Sequence, residues 1–153
     1  MNIPVSNQTL ARDLVFMGRS AALATLEAQG NPYCSYVVTA PAADGAPLML
    51  LSTLAVHTHN LQRDPRASLL FTREPAAGEE KMTTVRLTLT GTATASTSPE
   101  LRQAYLDRHP DAARYAQFAD FAVYRFETQG AHLVAGFGRI VNLSPDAFLV
   151  TNS

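Results

Sequence analysis

Several short strand-like segments follow one another along this chain, and no helix alternates regularly between them. The clearest is residues 83–96, where apolar side chains alternate with polar ones until Gly91 interrupts the pattern. Such alternation predicts a long strand with one apolar face and a bulge or bend at the glycine. The missing strand–helix–strand rhythm argues against a parallel sheet. The sequence therefore predicts a mostly β fold, a closed or nearly closed antiparallel barrel with peripheral helices.

The remaining segments are shorter. Strands are predicted at residues 21–26, 33–40, 47–51, 67–72, 121–127, 131–135 and 140–143, with a turn at Gln129-Gly130 separating two of them. Helices are predicted at residues 7–18 after Ser6 or Asn7, in a polar turn at 55–64, and at 99–108 with Ser98 as N-cap and Pro99 in the first turn, followed by a short second helix. We expect a loop at 74–82 and a half-ordered tail from Ser144.

Composition narrows the function classes. At 153 residues the chain predicts one domain spanning 1–153. A net charge of −1 gives no electrostatic reason to bind nucleic acid or an anionic membrane, and no apolar run approaches twenty residues. The low charged fraction of 16% favours a homo-oligomer. The only cysteine, Cys34, excludes an intrachain disulfide and favours the cytoplasm; its apolar, alternating surroundings predict a buried thiol.

The stretch from Leu50 to Phe71 is the strongest candidate for a site. It predicts a buried strand that ends in Ser52 and Thr53, followed by a helical turn that carries His57 and Thr58. Hydroxyls and imidazoles at a helix N-terminus are typical of an anion or phosphate site, because unpaired amides point outward there. The alternative is that these residues are plain helix caps.

The sequence gives little support for a metal site or for a known catalytic motif. His57 and His59 diverge on a helix and no third ligand lies nearby, so no metal site is predicted. His109 precedes a proline, which indicates a solvated helix cap, and His132 lies on a strand near the GFGR turn. No nucleophile elbow or dinucleotide fingerprint occurs.

Arginine outnumbers lysine eleven to one, Lys81 being the only lysine. Arg66, Arg86 and Arg139 stand at strand ends or within strands, where a guanidinium needs a partner. Salt bridges along the strand edges would satisfy them, and so would an anionic ligand.

Four segments together resemble a known family: ALATLEAQGNPYCSYVV, PLMLLSTLAVHTHNLQRDPRASLLF, VRLTLTGTA and DFAVYRFETQGAHLVAGFGRI. The chain is similar over residues 8–143 to the pyridoxamine 5′-phosphate oxidase-like, FMN-binding split β-barrels, and within them to the heme-utilisation branch. The resemblance implies a six-stranded antiparallel split β-barrel that forms a homodimer, with two FMN sites at the dimer interface.

The resemblance also implies roles for particular residues. Ser35, Tyr36 and Val37 would border the flavin ring, and Ser52, Thr53, His57 and Thr58 would hold the ribityl chain and phosphate. Arg86 would reach the flavin from the partner subunit, and Arg139 would add a positive charge. The resemblance thus predicts FMN as cofactor and a flavin-dependent oxidoreductase.

The chain also departs from the family. It has Ser35 and Ala40 where pyridoxamine phosphate oxidases carry basic side chains, and it lacks their paired C-terminal arginines, so that activity is not expected. Heme-degrading relatives use a histidine in a C-terminal tail, and no histidine follows His132 here. The alternatives left open are a heme-binding or heme-utilisation protein and a non-catalytic cofactor-binding dimer.

Overall fold

A computed structural model describes residues 5–136, 138–147 and 149. The strands are β1 (Ser20–Leu26), β2 (Pro32–Pro41), β3 (Pro47–Ser52), β4 (Arg66–Thr72), β5 (Arg86–Ser96), β6 (Phe121–Val134) and β7 (Ile140–Leu143). The helices are α1 (Asn7–Met17), α2 (Val56–Arg63), α3 (Pro99–Arg108) and α4 (Ala113–Ala116). Single 3₁₀ turns lie at Lys81–Thr83, Pro110–Ala112 and Pro145–Ala147.

Six of the strands close into an antiparallel barrel. Their order is β3-β2-β1-β4-β5-β6, an additional β3–β6 pairing closes the ring, and β7 adds to the outside of β6. This confirms the predicted six-stranded antiparallel split barrel. Leucines that alternate inward, such as Leu23, Leu69 and Leu133, are fully buried in its centre. The hydrophobic effect of this shared interior therefore holds the sheet closed.

Helix α1 covers one side of the barrel, as its apolar periodicity predicts. Leu10, Leu14 and Val15 are buried against the barrel core. The hydroxyl of Ser6 accepts a hydrogen bond from the amide of Thr9, which confirms the predicted N-cap. Helix α2 seals the barrel through the side chain of Asn60, which donates to the hydroxyl of Thr25 at 3.1 Å, both residues being buried.

One predicted boundary was wrong. The Gln129-Gly130 pair does not divide two strands, because β6 runs unbroken through it. The pairing with β5 shifts there, from Thr90 opposite Gly130 to Gly91 opposite Thr128. The bulge absorbs one extra residue, Gln129, and the missing side chain of Gly91 makes room, since a Cβ there would lie 1.9 Å from the carbonyl oxygen of Glu127.

The prediction of a buried Cys34 was also wrong. Strand β2 directs Val37 and Thr39 inward, so that Cys34, Tyr36 and Val38 face outward and are exposed. An alternating strand has two faces, and its sequence alone did not reveal which one faces the core.

The C-terminal part is described only in pieces. Of the GFGR turn, Phe137 lies outside the described residues, and so do 148 and 150–153 of the predicted half-ordered tail; the described part of that tail includes the 3₁₀ turn Pro145–Ala147. Among the described helices, none has both the length and the apolar character that crossing a bilayer requires.

Candidate functional site

The barrel is split along one seam between β2 and β3. These strands pair only where Thr39–Pro41 meets Pro47–Met49. Beyond that point β3 continues on β6 through Leu50 to Ser52, and β2 continues on β1 through Val38 and Tyr36. The two strands thus diverge and leave facing backbone edges without a ladder between them.

A largely apolar cleft of about 460 Å³ opens at this seam, and we call it the seam cleft. Strands β2 and β3, the start of α2, the end of α3 and the segment after it supply its walls. The lining residues are Tyr36, Val37, Val38, Leu50, Leu51, Ser52, Ala55, His57, Tyr105, His109, Asp111, Ala112, Tyr115 and Phe121.

Side chains at the end of α3 take the place of the missing ladder, next to the residues where β2 and β3 still pair. The hydroxyl of Tyr105 donates to the carbonyl of Val38 at 3.5 Å, and the amide of Leu50 on the other strand edge lies beside it. Burial raises the pKa of Tyr105 to about 12, against the smaller lowering effect of that amide. His109 donates through Nε2 to the carbonyl of Thr39 at 2.6 Å, and its ring contacts that of Tyr105.

His57 lies at the other end of the cleft, in the first turn of α2. Its Nδ1 is 2.9 Å from the hydroxyl of Ser35 on β2. Burial lowers the pKa of His57, because the half-buried imidazole loses hydration of its charged form. At neutral pH it is therefore an uncharged imidazole on the wall of an apolar cleft, able to offer a donor or a lone pair.

The start of α2 carries no side-chain cap. Its N-cap is Ala55, and the hydroxyl of Ser52 accepts instead from the amide of Leu54, just before the helix. The amide of Thr53 donates to the carbonyl of Asp120. Thr58 is fully buried, and its hydroxyl has no partner among the described residues.

The structure brings most of the predicted site residues together. Tyr36, Val37, Ser52 and His57 line the seam cleft, and Ser35 holds His57. Thr53 and Thr58 are their neighbours in the chain and do not line the cleft.

The predicted arginines lie elsewhere within one chain. Arg86 donates to the carbonyls of Met82 and Thr84, and Arg139 donates to the carbonyl of Val5 and the side chain of Asn7. Arg66 pairs with Asp64, which is the salt-bridge alternative.

The sequence did not reveal Tyr105, Tyr115, Phe121 or the position of His109. His109 caps α3, as predicted, but it is partly buried on the seam, where its ring bonds to the carbonyl of Thr39. Only the His109-Pro110 break marked this segment, and such a break carries no information about which strand the imidazole contacts.

The seam and the closed ring define the class: this is a split β-barrel of the pyridoxamine 5′-phosphate oxidase-like type. A structure from Listeria innocua described as a pyridoxamine 5′-phosphate oxidase shares this fold, with a TM-score of 0.66 at 12% identity over 86% of this chain and 100% of that one. A family model described as the CREG β-barrel matches residues 5–149. The chain belongs to the CREG β-barrel family.

More similar relatives carry names that refer to heme. The chloroplastic heme oxygenase HOZ of Arabidopsis thaliana is 39% identical over 111 residues, which cover 71% of this chain and 33% of that protein. Heme oxygenase HutZ of Vibrio cholerae is 25% identical over 134 residues, 84% of this chain and 76% of that protein. A heme-binding protein from Mycobacterium smegmatis superposes with a TM-score of 0.86 at 32% identity, covering 96% of this chain and 61% of that one. The chain thus spans a third of the chloroplast protein and about three-fifths of the mycobacterial one.

These relatives overturn the prediction of FMN as cofactor and of a flavin-dependent oxidoreductase, because they are named for heme. The cleft gives a physical reason. A flavin phosphate is a dianion, and cationic side chains bind it most strongly. Among the described residues, those that line the seam cleft include Asp111 and neither lysine nor arginine, and within one chain Arg86 and Arg139 donate to groups elsewhere.

Proposed function

We propose that this protein binds heme in the seam cleft and acts in heme utilisation, with heme as its substrate or cargo. The observation that carries the proposal is an apolar cleft of about 460 Å³ with the uncharged imidazole of His57 in its wall. That volume falls within the roughly 300–1,000 Å³ typical of small-molecule sites. The heme-related names of three relatives support the same ligand.

The residues of the cleft suit the two parts of heme differently. Tyr36, Val38 and Leu50 offer apolar surface to a porphyrin face, from which water must be excluded. The carboxylates of heme need hydration or polar partners, and the open mouth of the cleft gives them access to water. Tyr105 holds the strand edges at the distance that sets the width of the cleft.

The homodimer with cofactor sites at its interface belongs to the same proposal. Exposed apolar side chains surround the cleft, among them Tyr36, Leu54, Val56 and Phe118. Apolar surface of this kind around a ligand site is typical of an interface. Sedimentation at micromolar concentration should report about twice 16.5 kDa; a clean monomer would contradict a shared site.

A hemin titration tests the binding. We expect one hemin per chain, a sharp Soret band and saturation at micromolar concentration. The control is Ala55→Trp, which places an indole in the cleft and should weaken binding at least about tenfold, since the added ring occupies space the porphyrin needs. A broad Soret shift without saturation, unchanged by Ala55→Trp, would contradict the proposed function.

Heme degradation is a second candidate, favoured by the two relatives named heme oxygenases. The hemin complex would be supplied with ascorbate in air, with catalase present to remove free peroxide. Loss of the Soret band with formation of an open-chain tetrapyrrole would indicate an oxygenase. A Soret band that persists would indicate a carrier, which is the non-catalytic alternative.

A cytoplasmic location remains a prediction. The exposed thiol of Cys34 suits a reducing compartment, because such a thiol is prone to oxidation elsewhere.

A further inference from the structure

We propose that His57 binds the iron of heme in the seam cleft through its Nε2, and that the hydroxyl of Ser35 holds the imidazole in the tautomer that this bond requires. The inference rests on the proposed function and deepens it, because it names the atom that contacts the iron. His57 is then the axial ligand, and Ser35 is a positioning residue that acts through it.

The lining of the seam cleft offers few side chains that bind heme iron. Histidine, cysteine, methionine and tyrosine are the usual protein ligands. Among the described residues that line the cleft there is neither cysteine nor methionine, and the imidazoles are those of His57 and His109. The carboxylate of Asp111 is a donor of the kind that suits magnesium, calcium or manganese, whereas imidazole suits iron. The histidines and the tyrosines are therefore the candidates.

Tyr105 is a poor candidate because it keeps its proton. A tyrosine binds ferric heme as the phenolate, so its hydroxyl must ionise first. The hydroxyl of Tyr105 donates to the carbonyl of Val38, and burial raises the pKa of Tyr105 to about 12. At neutral pH this side chain therefore stays a hydrogen-bond donor to the strand edge.

His109 is already committed to the main chain of β2. Its Nε2 lies 2.6 Å from the carbonyl oxygen of Thr39, and a carbonyl only accepts, so this nitrogen carries the proton and offers no lone pair. The lone pair is on Nδ1, which stands beside the ring carbon that joins the main chain. A porphyrin approaching that nitrogen would press against the backbone of His109 itself.

His57 has the opposite arrangement. Its Nδ1, the nitrogen nearer the main chain, lies 2.9 Å from the hydroxyl of Ser35, and among the described residues nothing bonds its Nε2. When Nδ1 donates to Ser35, the lone pair is on Nε2, at the outer end of the ring. A hydroxyl rotates to accept as readily as to donate, so Ser35 supports this tautomer once iron occupies Nε2. The geometry thus leaves the accessible nitrogen free for a metal.

The environment of His57 keeps that lone pair available. Burial lowers the pKa of His57, so at neutral pH a proton does not compete with iron for the nitrogen. Since His109 is bonded to Thr39, His57 alone supplies an imidazole. We therefore expect a five-coordinate, high-spin heme whose other face is open to a small added ligand such as carbon monoxide.

The role of Ser35 is tested by the strength of the iron–imidazole bond. Donation from Nδ1 to an outer partner makes a histidine more basic, and loss of such a partner typically changes metal affinity roughly 10- to 100-fold. We expect Ser35→Ala to keep histidine ligation but to lower the iron–histidine stretching frequency in resonance Raman spectra of the ferrous complex. Ser35→Thr, which keeps a hydroxyl, should restore that frequency. An unchanged frequency in Ser35→Ala would overturn the part assigned to Ser35.

Paired titrations with hemin and with metal-free protoporphyrin IX test His57 itself. The two ligands share the apolar ring and the carboxylates and differ in the iron. We expect His57→Gly to bind hemin at least about tenfold more weakly, to lose the iron–histidine band and to leave protoporphyrin affinity unchanged. Added imidazole should restore the wild-type Soret band in this variant, because it fills the space that the ring leaves. The matched control is His59→Gly, two residues further along α2, exposed and outside the cleft lining, which should behave as wild type with both ligands.

The pair of ligands separates failure of this inference from failure of the proposed function. A wild-type chain that binds neither porphyrin would remove the proposed function and the inference with it. A His57→Gly variant that keeps hemin affinity and its spectrum would assign the iron to another side chain, such as Tyr36 or Tyr115, and would overturn the inference alone. Circular dichroism establishes that each variant is folded.

Discussion

At the seam, the hydroxyl of Tyr105 takes the place of the main-chain hydrogen bonds that join other pairs of strands. At most strand pairs the main chain satisfies its own polar groups, but at the seam a side chain from a distant helix supplies the contacts for Val38 and Leu50. The residue is buried, which is why its pKa is high and its hydroxyl stays protonated as a donor.

We therefore expect Tyr105→Phe to destabilise the fold by about 1–3 kcal/mol, because buried backbone groups lose their partner. Urea unfolding followed by circular dichroism measures this loss. The matched control is Tyr115→Phe at an exposed position, with an expected change within about 0.5 kcal/mol. Equal unfolding midpoints for the two variants would show that the hydroxyl of Tyr105 does not stabilise the seam.

His57 should make stability depend on pH. Burial lowers its pKa in the folded state below the ordinary 6.5, so the unfolded chain binds the proton more readily. The stabilising effect of the neutral imidazole is present above pH 6.5 and is lost as pH falls through the folded pKa. We expect the melting temperature to fall between pH 7.5 and 5.5, and His57→Gln to flatten that part of the profile. An identical slope in the variant would assign the effect to other groups.

The elements show how far the sequence could predict this fold. The alternation of apolar and polar residues predicted β5, and the helical spacing of apolar residues after Ser6 predicted α1. Both signals lie within a single segment of the sequence. The continuity of β6 was not local. It depends on Gly91, almost forty residues earlier, because only a residue without a side chain leaves room for the bulge at Gln129-Gly130. The bulge lets β6 continue where the sequence alone predicts a turn. The site residues that the sequence could predict differ from the others in the same way. Residues 35–58 lie on neighbouring elements of the chain, whereas Tyr105 and His109 reach the seam from α3, which lies between β5 and β6.

Gly91→Ala should accordingly be severe. Its Cβ would overlap the main chain at Glu127, which cannot move without breaking the pairing of β5 with β6. Overpacking of this kind costs about 3 kcal/mol. The control is Gly130→Ala on the facing strand, where the nearest atom is the hydroxyl of Thr90 at 3.0 Å and the expected loss is about 1 kcal/mol. Denaturant midpoints compare the two; similar values would mean that the bulge relaxes more easily than its geometry indicates.

At the scale of the whole molecule, the proposed homodimer needs an uncharged face. Leu70 is exposed on the outer side of the barrel sheet, beside Ala22 and Thr88, so an arginine there would set a charge on that surface. A charge buried without a partner is strongly unfavourable. The sequence could predict a dimer from its low charge, but the uncharged face became visible only when register aligned the strands.

We expect Leu70→Arg to sediment as a folded monomer and to bind hemin at least about tenfold more weakly. Circular dichroism establishes that the monomer is folded, and analytical ultracentrifugation gives its mass. The control is Met82→Arg, at an exposed position in the 3₁₀ turn Lys81–Thr83 that does not line the seam cleft. A dimer that survives Leu70→Arg would place the interface on another face.

The split between β2 and β3 also bears on how the chain emerges from the ribosome. Both strands are complete by Ser52, but the groups that cover their free edges come from α3 and β6, which begin at Pro99 and Phe121. Until then a nascent chain presents two uncovered β edges, and such edges readily pair with other chains. A fragment ending at Ser98 should scatter light and bind amyloid dyes, whereas one that extends through Leu143 should remain dispersed.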